Sequence, residues 1–205
     1  MKQKKLTGSK VPQFTYDTPY SAENDFYALC AGEVPLVMVF LPNFGHPISR
    51  HYLAGYMQTL QSLTAGHLAC VVRSDPGVIA ARVAGQAFPF EVICDAEGVL
   101  YDYFEVRQTT SIWDWTFAAR RIIKAAKKEG YQPEKGAPQL LPLTMVMGEA
   151  GQVLYAHRGR SITDLPEDCI AIEAVCQQLA AHRAAAPAQE AELAEEPEKQ
   201  AATQV

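Results

Sequence analysis

No Cys-x-x-Cys pair occurs in this chain, although it has five cysteines: Cys30, Cys70, Cys94, Cys169 and Cys176. An odd number of thiols without that motif argues against a disulfide framework and for a reducing compartment. Cys169 and Cys176 stand seven residues apart. On a helix that is about 10.5 Å of rise, beyond the roughly 7 Å between Cα atoms that a disulfide can bridge. No zinc-ligand spacing is present, which excludes a structural zinc site of the common kinds. No apolar run reaches the roughly 20 residues that span a membrane. The basic start, Met1-Lys-Gln-Lys-Lys5, continues into Leu6-Thr-Gly-Ser-Lys10 and lacks the apolar core of a signal peptide. These absences lead to the expectation of a soluble, cytoplasmic protein without a membrane partner. Charge is scarce as well. The net charge is −5, and five Glu against one Lys in Ala184–Val205 account for −4 of it. A nearly neutral body gives no electrostatic case for nucleic-acid binding.

What the sequence does contain is an alternation of apolar segments. Pro35-Leu-Val-Met-Val-Phe-Leu41 is a continuous apolar run of strand length, as expected for a strand covered on both faces. Pro42-Asn-Phe-Gly45 ends it. A helix follows, with Pro47 near its start and Ser49 as a cap or first-turn residue. Tyr52, Leu53, Tyr56, Met57, Leu60 and Leu63 mark its buried face. Leu68–Val72 reads as a second buried strand, Val78 to about Gln86 as a helix entered through Pro76, and Phe90–Cys94 as a third strand closed by Asp95-Ala-Glu-Gly98. Such alternation means right-handed βαβ units and a mostly parallel sheet.

The second half has a different pattern. Ile112 to about Glu129 reads as a long helix with Trp115, Ala119, Ile122 and Ala126 on one side, made basic by Arg120, Arg121, Lys124, Lys127 and Lys128. That basic face reads as solvated surface over a buried stripe. Leu143–Met147 and Gln152–Ala156, joined by Gly148-Glu-Ala-Gly151, form a β-hairpin. A last helix from about Pro166 to Ala181 carries Cys169, Ile172, Cys176 and Leu179 as its apolar stripe. Beyond it the Ala/Glu-rich tail has almost no large apolar side chains with which to offset its ordering entropy. The expected organisation is therefore one domain, residues 1–183, and a disordered tail, 184–205.

A βαβ half, a crossover helix, an antiparallel hairpin and a closing helix follow the thioredoxin order. Gly8-x-x-Val11-Pro12-x-Phe14 resembles the opening segment of peroxiredoxins and related AhpC/TSA redoxins. Phe40-Leu-Pro-Asn-Phe-Gly45-His46-Pro47-Ile48-Ser49-Arg50 is similar to that family's strand-to-helix loop. Asp95-x-x-Gly98-x-Leu-Tyr101 resembles its D-x-x-G-x-L-Y segment, and Gln139-Leu-Leu-Pro142 sits where thioredoxin folds place a cis-proline. The resemblance covers residues 6–180. It implies an α/β, thioredoxin-like fold: a central mixed β-sheet flanked by helices, with an inserted helix before the C-terminal hairpin.

In the family's loop, cysteines do the chemistry. Against its C-P-x-C frame, His46 and Ser49 stand at the two cysteine positions. Against the P-x-x-x-T-x-x-C frame, Pro42 matches, His46 replaces the threonine and Ser49 replaces the peroxidatic cysteine. Peroxide reduction needs a thiolate, and a helix N-terminus with nearby cations lowers a thiol's pKa enough to supply one. A serine hydroxyl titrates many units higher and cannot pass through sulfenic acid and disulfide states. Two functions follow as expectations. One is a redox-inactive binding or regulatory module that takes a peptide, protein or small-molecule ligand in the thioredoxin-type groove. The groove residues would be Pro42, Gly45, His46, Pro47, Ser49, Arg50, Leu141, Pro142 and Leu143, with Arg158 in the place of the arginine that steadies the family's thiolate, or else in a solvated turn near Asp164. The other is an antioxidant thiol oxidoreductase or peroxidase working through a non-standard cysteine, Cys30 being the candidate. Neither implies a metal or a cofactor, and a homodimer is compatible with both. A serine hydrolase built on His46, Ser49 and His51 lacks a marked acid and oxyanion hole.

Overall fold

A computed structural model describes residues 5–83, 86–109, 115–131 and 139–184 of the chain. In chain order the elements are β1 (Thr15–Tyr16), β2 (Asn24–Asp25), α1 (Phe26–Cys30), β3 (Leu36–Leu41), α2 (Pro47–Thr59), β4 (His67–Val72), α3 (Pro76–Val83), β5 (Glu91–Cys94), α4 (Val99–Tyr103), β6 (Gln108–Thr109), α5 (Phe117–Lys128), β7 (Gln139–Leu140), β8 (Leu143–Met147) and β9 (Val153–Arg158). A last helix, α6, covers residues 169–184.

The apolar run at 36–41 becomes the central strand of a five-stranded sheet ordered β5-β4-β3-β8-β9. β3, β4 and β5 are parallel, while β8 and β9 run antiparallel to their neighbours, so the sheet is mixed. Alternation of side chains explains why every β3 residue is apolar. Val37, Val39 and Leu41 join Ile48, Tyr52 and Tyr56 of α2, Ala119 of α5 and Ile172 of α6 on one face. Leu36, Met38 and Phe40 join Phe26 of α1 and Tyr101 and Phe104 of α4 on the other. The opening segment lies along the hairpin, with Val11 N–H donating to the Gly151 carbonyl at 2.9 Å. On α6, the Glu173 carboxylate accepts from the backbone N–H groups of Thr64 and Ala65, both at 2.8 Å, and so fixes the turn before β4. Among the described residues no helix is long and apolar enough to cross a membrane.

Four details differ from the sequence reading. Met57 is 43% exposed rather than buried; each four-residue step along a helix advances about 40°, and by Met57 the Leu53 row has turned to solvent. α5 begins at Phe117, not at Ile112, because Thr116 takes a β conformation and accepts the Ala119 N–H at 3.1 Å as N-cap. Its buried stripe is Ala119, Ile123 and Ala126, with Trp115 and Ile122 only half-buried. Residues 112–114, and the tail from 185 onward, lie outside the described residues. α6 starts at 169 because residues 161–168 form turns. The peptide bond before Pro142 is trans, there being no cis bond among the described residues.

The Asp95-x-x-Gly98-x-Leu-Tyr101 segment works as a strut. Asp95 is buried and its carboxylate accepts from the N–H groups of Val99, Leu100 and Tyr101, which otherwise have no partner at the start of α4. Gly98 supplies the left-handed turn, at φ +81°. Tyr101 then projects beneath the sheet, where its hydroxyl bonds the Leu41 carbonyl and lies 2.9 Å from that of Val71, joining the ends of β3 and β4. Burial pushes this phenol well above its ordinary pKa, so it remains a donor.

Two substitutions test these assignments by urea denaturation. Tyr101→Phe removes the strut's hydrogen bonds and is expected to lower stability by about 1–3 kcal/mol. Thr144, opposite Val39, buries a hydroxyl with no hydrogen-bond partner among the described residues. Thr144→Val is expected to leave the fold intact and raise stability by about 1 kcal/mol.

Candidate functional site

β3 ends at Leu41 just above the Tyr101 strut, and the chain turns through Pro42–Gly45 into α2. Pro47 occupies the first helical position, where its missing N–H costs nothing. The N-cap is His46, and Ser49 is the first-turn residue rather than the cap, the second of the two places that the sequence allowed it. Its Nδ1 accepts the Ile48 N–H at 3.3 Å, so the ring is neutral there and carries its proton on Nε2. A side-chain hydrogen bond links it to Gln139 of β7, and its ring meets Tyr131 edge-on, centroids 6.2 Å apart. Burial pushes the His46 pKa down to about 4, helped by the nearby Arg50 charge and opposed by the Gln139 bond.

Ser49 is completely buried in the first turn, and its hydroxyl donates to the Pro42 carbonyl at 3.2 Å. That bond closes the loop on itself. The next residue, Arg50, is exposed. His51 turns away from His46 and packs edge-on against Tyr52 at 5.4 Å. Among the described residues no three His, Cys, Asp or Glu side chains are grouped to hold a metal.

The segment Leu141–Thr144 is buried throughout. Two of its backbone groups beside the proline have partners within the chain: Leu141 N–H donates to the Arg107 carbonyl at 2.8 Å, and the Pro142 carbonyl accepts from Gly159 N–H at 2.8 Å. β6 pairs with β7 immediately before it, Gln108 opposite Leu140. Extended chain therefore already occupies the hydrogen-bonding positions beside Pro142. Leu143 belongs to the core on the far face of the sheet from α2. Arg158, paired with Leu143 across the hairpin, donates to the carbonyls of Phe104 and Glu105 at 2.8 and 2.9 Å. Asp164 instead binds His157, at 3.0 Å, and the Arg160 N–H. Of the ten residues suggested by the sequence, the structure brings Pro42, Gly45, His46, Pro47, Ser49 and Arg50 together in one loop and helix start, with β7 against them.

Open space lies on the α5 side of that loop. One cavity of about 720 Å³ runs between α2 and α5, lined by Pro47, Arg50, His51, Arg121, Ile122 and Glu167 among others. A second, of about 450 Å³, adjoins it and is lined by Asn43, Gly45, Arg50, Arg82, Glu129, Gly130 and Tyr131. Arg50 and Glu129 face both. Sequence reasoning had no signal for Arg82 or Tyr131. They come from α3 and from the end of α5, and only the fold brings them to the loop.

The thiols are placed differently. All five cysteines are free; four are buried and Cys94 is half-buried. Burial pushes Cys30 and Cys176 up to about 11 and Cys94 up to about 12, and raises Cys70 and Cys169 as well.

His46 gives the site a pH signature. The folded protein keeps the ring neutral down to about pH 4, whereas its ordinary value is 6.5. As pH falls, the unfolded chain takes up this proton first. The contribution is complete above about pH 6.5 and is lost between there and pH 4, by up to about 3 kcal/mol. Urea denaturation across this range is expected to show that slope in the wild type and a flatter one in His46→Asn, which retains a capping side chain without the titration.

Comparison with known proteins places this geometry. Residues 53–161 match the family described as AhpC/TSA antioxidant enzyme. The match begins inside α2, so the loop with His46 and Ser49 precedes it. No curated protein matches the chain. Among solved structures, peroxidoxin BcpB from Mycobacterium tuberculosis is similar with a TM-score of 0.58 and 14% identity, covering 86% of this chain and 97% of that one. The bacterioferritin comigratory protein of Xanthomonas campestris gives a TM-score of 0.55 at 18% identity, covering 85% and 99%. A thiol peroxidase from Chromobacterium violaceum gives 0.53 at 14%, covering 84% and 86%. These likenesses show the peroxiredoxin variant of the thioredoxin fold, and together with the family match over more than half of its length, they establish that the chain belongs to the AhpC/TSA antioxidant enzyme family.

Proposed function

We propose that this protein is a redox-inactive member of its family, a binding or regulatory module that uses the surface around the start of α2. The observation that carries the reading is Ser49: where the family resemblance places the reacting cysteine, a fully buried hydroxyl donates to the Pro42 carbonyl. A serine there has neither an accessible thiolate state nor an oxidation ladder. His46, at the companion position, is occupied as a helix cap.

The state of the cysteines supports the same reading. Low-pKa, accessible thiols sit in electropositive, partly exposed surroundings, while burial raises every thiol of this chain. Cys30, the candidate for a non-standard mechanism, is 1% exposed and pushed up to about 11. The ligand surface in this proposal is the pair of cavities beside Arg50. The groove next to Pro142 is less suited, because the chain's own residues 107–109 and Gly159 take up its backbone groups. A peptide, a protein loop or a small molecule meeting this surface would be recognised by side chains rather than by strand addition.

A peroxidase assay with dithiothreitol and thioredoxin, run beside a thiol titration, tests the reading. The native protein is expected to show no thiol-dependent peroxide loss and to leave its cysteines slow toward a disulfide reagent, with all five reacting once it is unfolded. Peroxide turnover that disappears in Cys30→Ser would overturn the proposal. The double substitution His46→Cys with Ser49→Cys asks whether the scaffold still supports the family's chemistry. Gain of thiol-dependent turnover would support the alignment of those two positions.

A further inference from the structure

We propose that Arg50 and Arg82 anchor a site for an oxyanion, the phosphoryl or carboxylate group of a small polar ligand. This names the ligand class for the surface proposed above and rests on that reading. Arg50 projects from the first turn of α2 and Arg82 from the last turn of α3, and both line the cavity of about 450 Å³. Neither guanidinium group makes a hydrogen bond or an ion pair among the described residues. Among the described residues the one carboxylate in that lining is Glu129, and it is bound to neither arginine. Two guanidinium groups against the single Glu129 carboxylate leave this concavity with an excess of positive charge, and an anion between them would offset it.

A missing side chain leaves room for Arg82 at this loop. A Cβ on Gly45 would lie 2.7 Å from Arg82 Nη1, so the guanidinium rests against the Gly45 backbone. That same point is 3.5 Å from the Asn43 side-chain oxygen, which places a polar group at the rim. Gly45 is not among the glycines with positive φ, so the close approach, rather than backbone conformation, is what it provides. The positive end of α2, a helix of 13 residues, opens on the same loop. His46 is neutral and adds no charge of its own. The cavity's size suits a small ligand, and planar guanidinium forks match the two oxygens of a carboxylate or phosphoryl group.

Titration calorimetry of the full chain with inorganic phosphate and with citrate, at constant ionic strength, tests the site. The wild type is expected to bind at least one of them saturably. Arg50→Gln and Arg82→Gln are each expected to weaken binding roughly tenfold or more. Gly45→Ala is expected to weaken it by displacing Arg82, and Lys124→Gln, on the outer face of α5, to leave it unchanged. Tighter binding of phosphate identifies a phosphoryl ligand, and tighter binding of citrate a polycarboxylate. Absence of saturable binding by either, or equal binding by the Arg50→Gln/Arg82→Gln double variant, would overturn the site. The two proposals fail separately: peroxide turnover would sink the redox-inactive reading and leave the titration standing, while a silent titration would remove the anion site without restoring turnover.

Discussion

The hydrogen bonds that begin α2 hold this end of the molecule in one shape. His46 Nδ1 accepts the Ile48 N–H, and the Ser49 hydroxyl donates to the carbonyl of Pro42. Together they satisfy polar groups that a buried helix start would otherwise leave bare, and they fix the angle at which α2 leaves β3. The direction of Arg50 follows from that angle, as does the width of the space between α2 and α5. Both bonds depend on the residues being uncharged and short. A protonated imidazole has no acceptor nitrogen to offer Ile48, and a larger residue at 49 finds no room in a position without solvent exposure.

Beneath this loop the Tyr101 strut fixes where β3 stops. Asp95 organises the first turn of α4, α4 aims Tyr101, and the Tyr101 hydroxyl bonds the carbonyl of the last β3 residue. The family resemblance in this segment therefore has a mechanical content. Each residue that carries it is needed to anchor a strand end, and none of them meets the cavities.

Much of the architecture was legible in the sequence because long-range burial leaves a strong pattern. The run Leu36–Leu41 is apolar at every position, and the structure covers it on both faces. The hairpin was marked by apolar segments on either side of Gly148–Gly151. Pairs such as β1–β2 and β6–β7 were not legible, since two-residue strands are held by backbone geometry and leave no periodicity. The start of α5 was misplaced because Trp115 continues the helical spacing, while the Thr116 cap interrupts it. At the candidate site, the place of His46 and Ser49 at a helix start could be read from the sequence, but their hydrogen bonds could not. Arg82 lay beyond reach, since a single arginine on a short helix resembles any solvated charge until the fold sets it against Gly45.

The place of β3 in the sheet has a consequence for biosynthesis. One neighbour, β4, follows closely, but the other, β8, pairs Met147 with Leu36 and emerges only when most of the chain has been made. Until then one edge of a wholly apolar strand has no partner. The nascent chain thus carries an unpaired apolar strand edge until the hairpin is made, and a chaperone that covers such an edge would favour folding over aggregation.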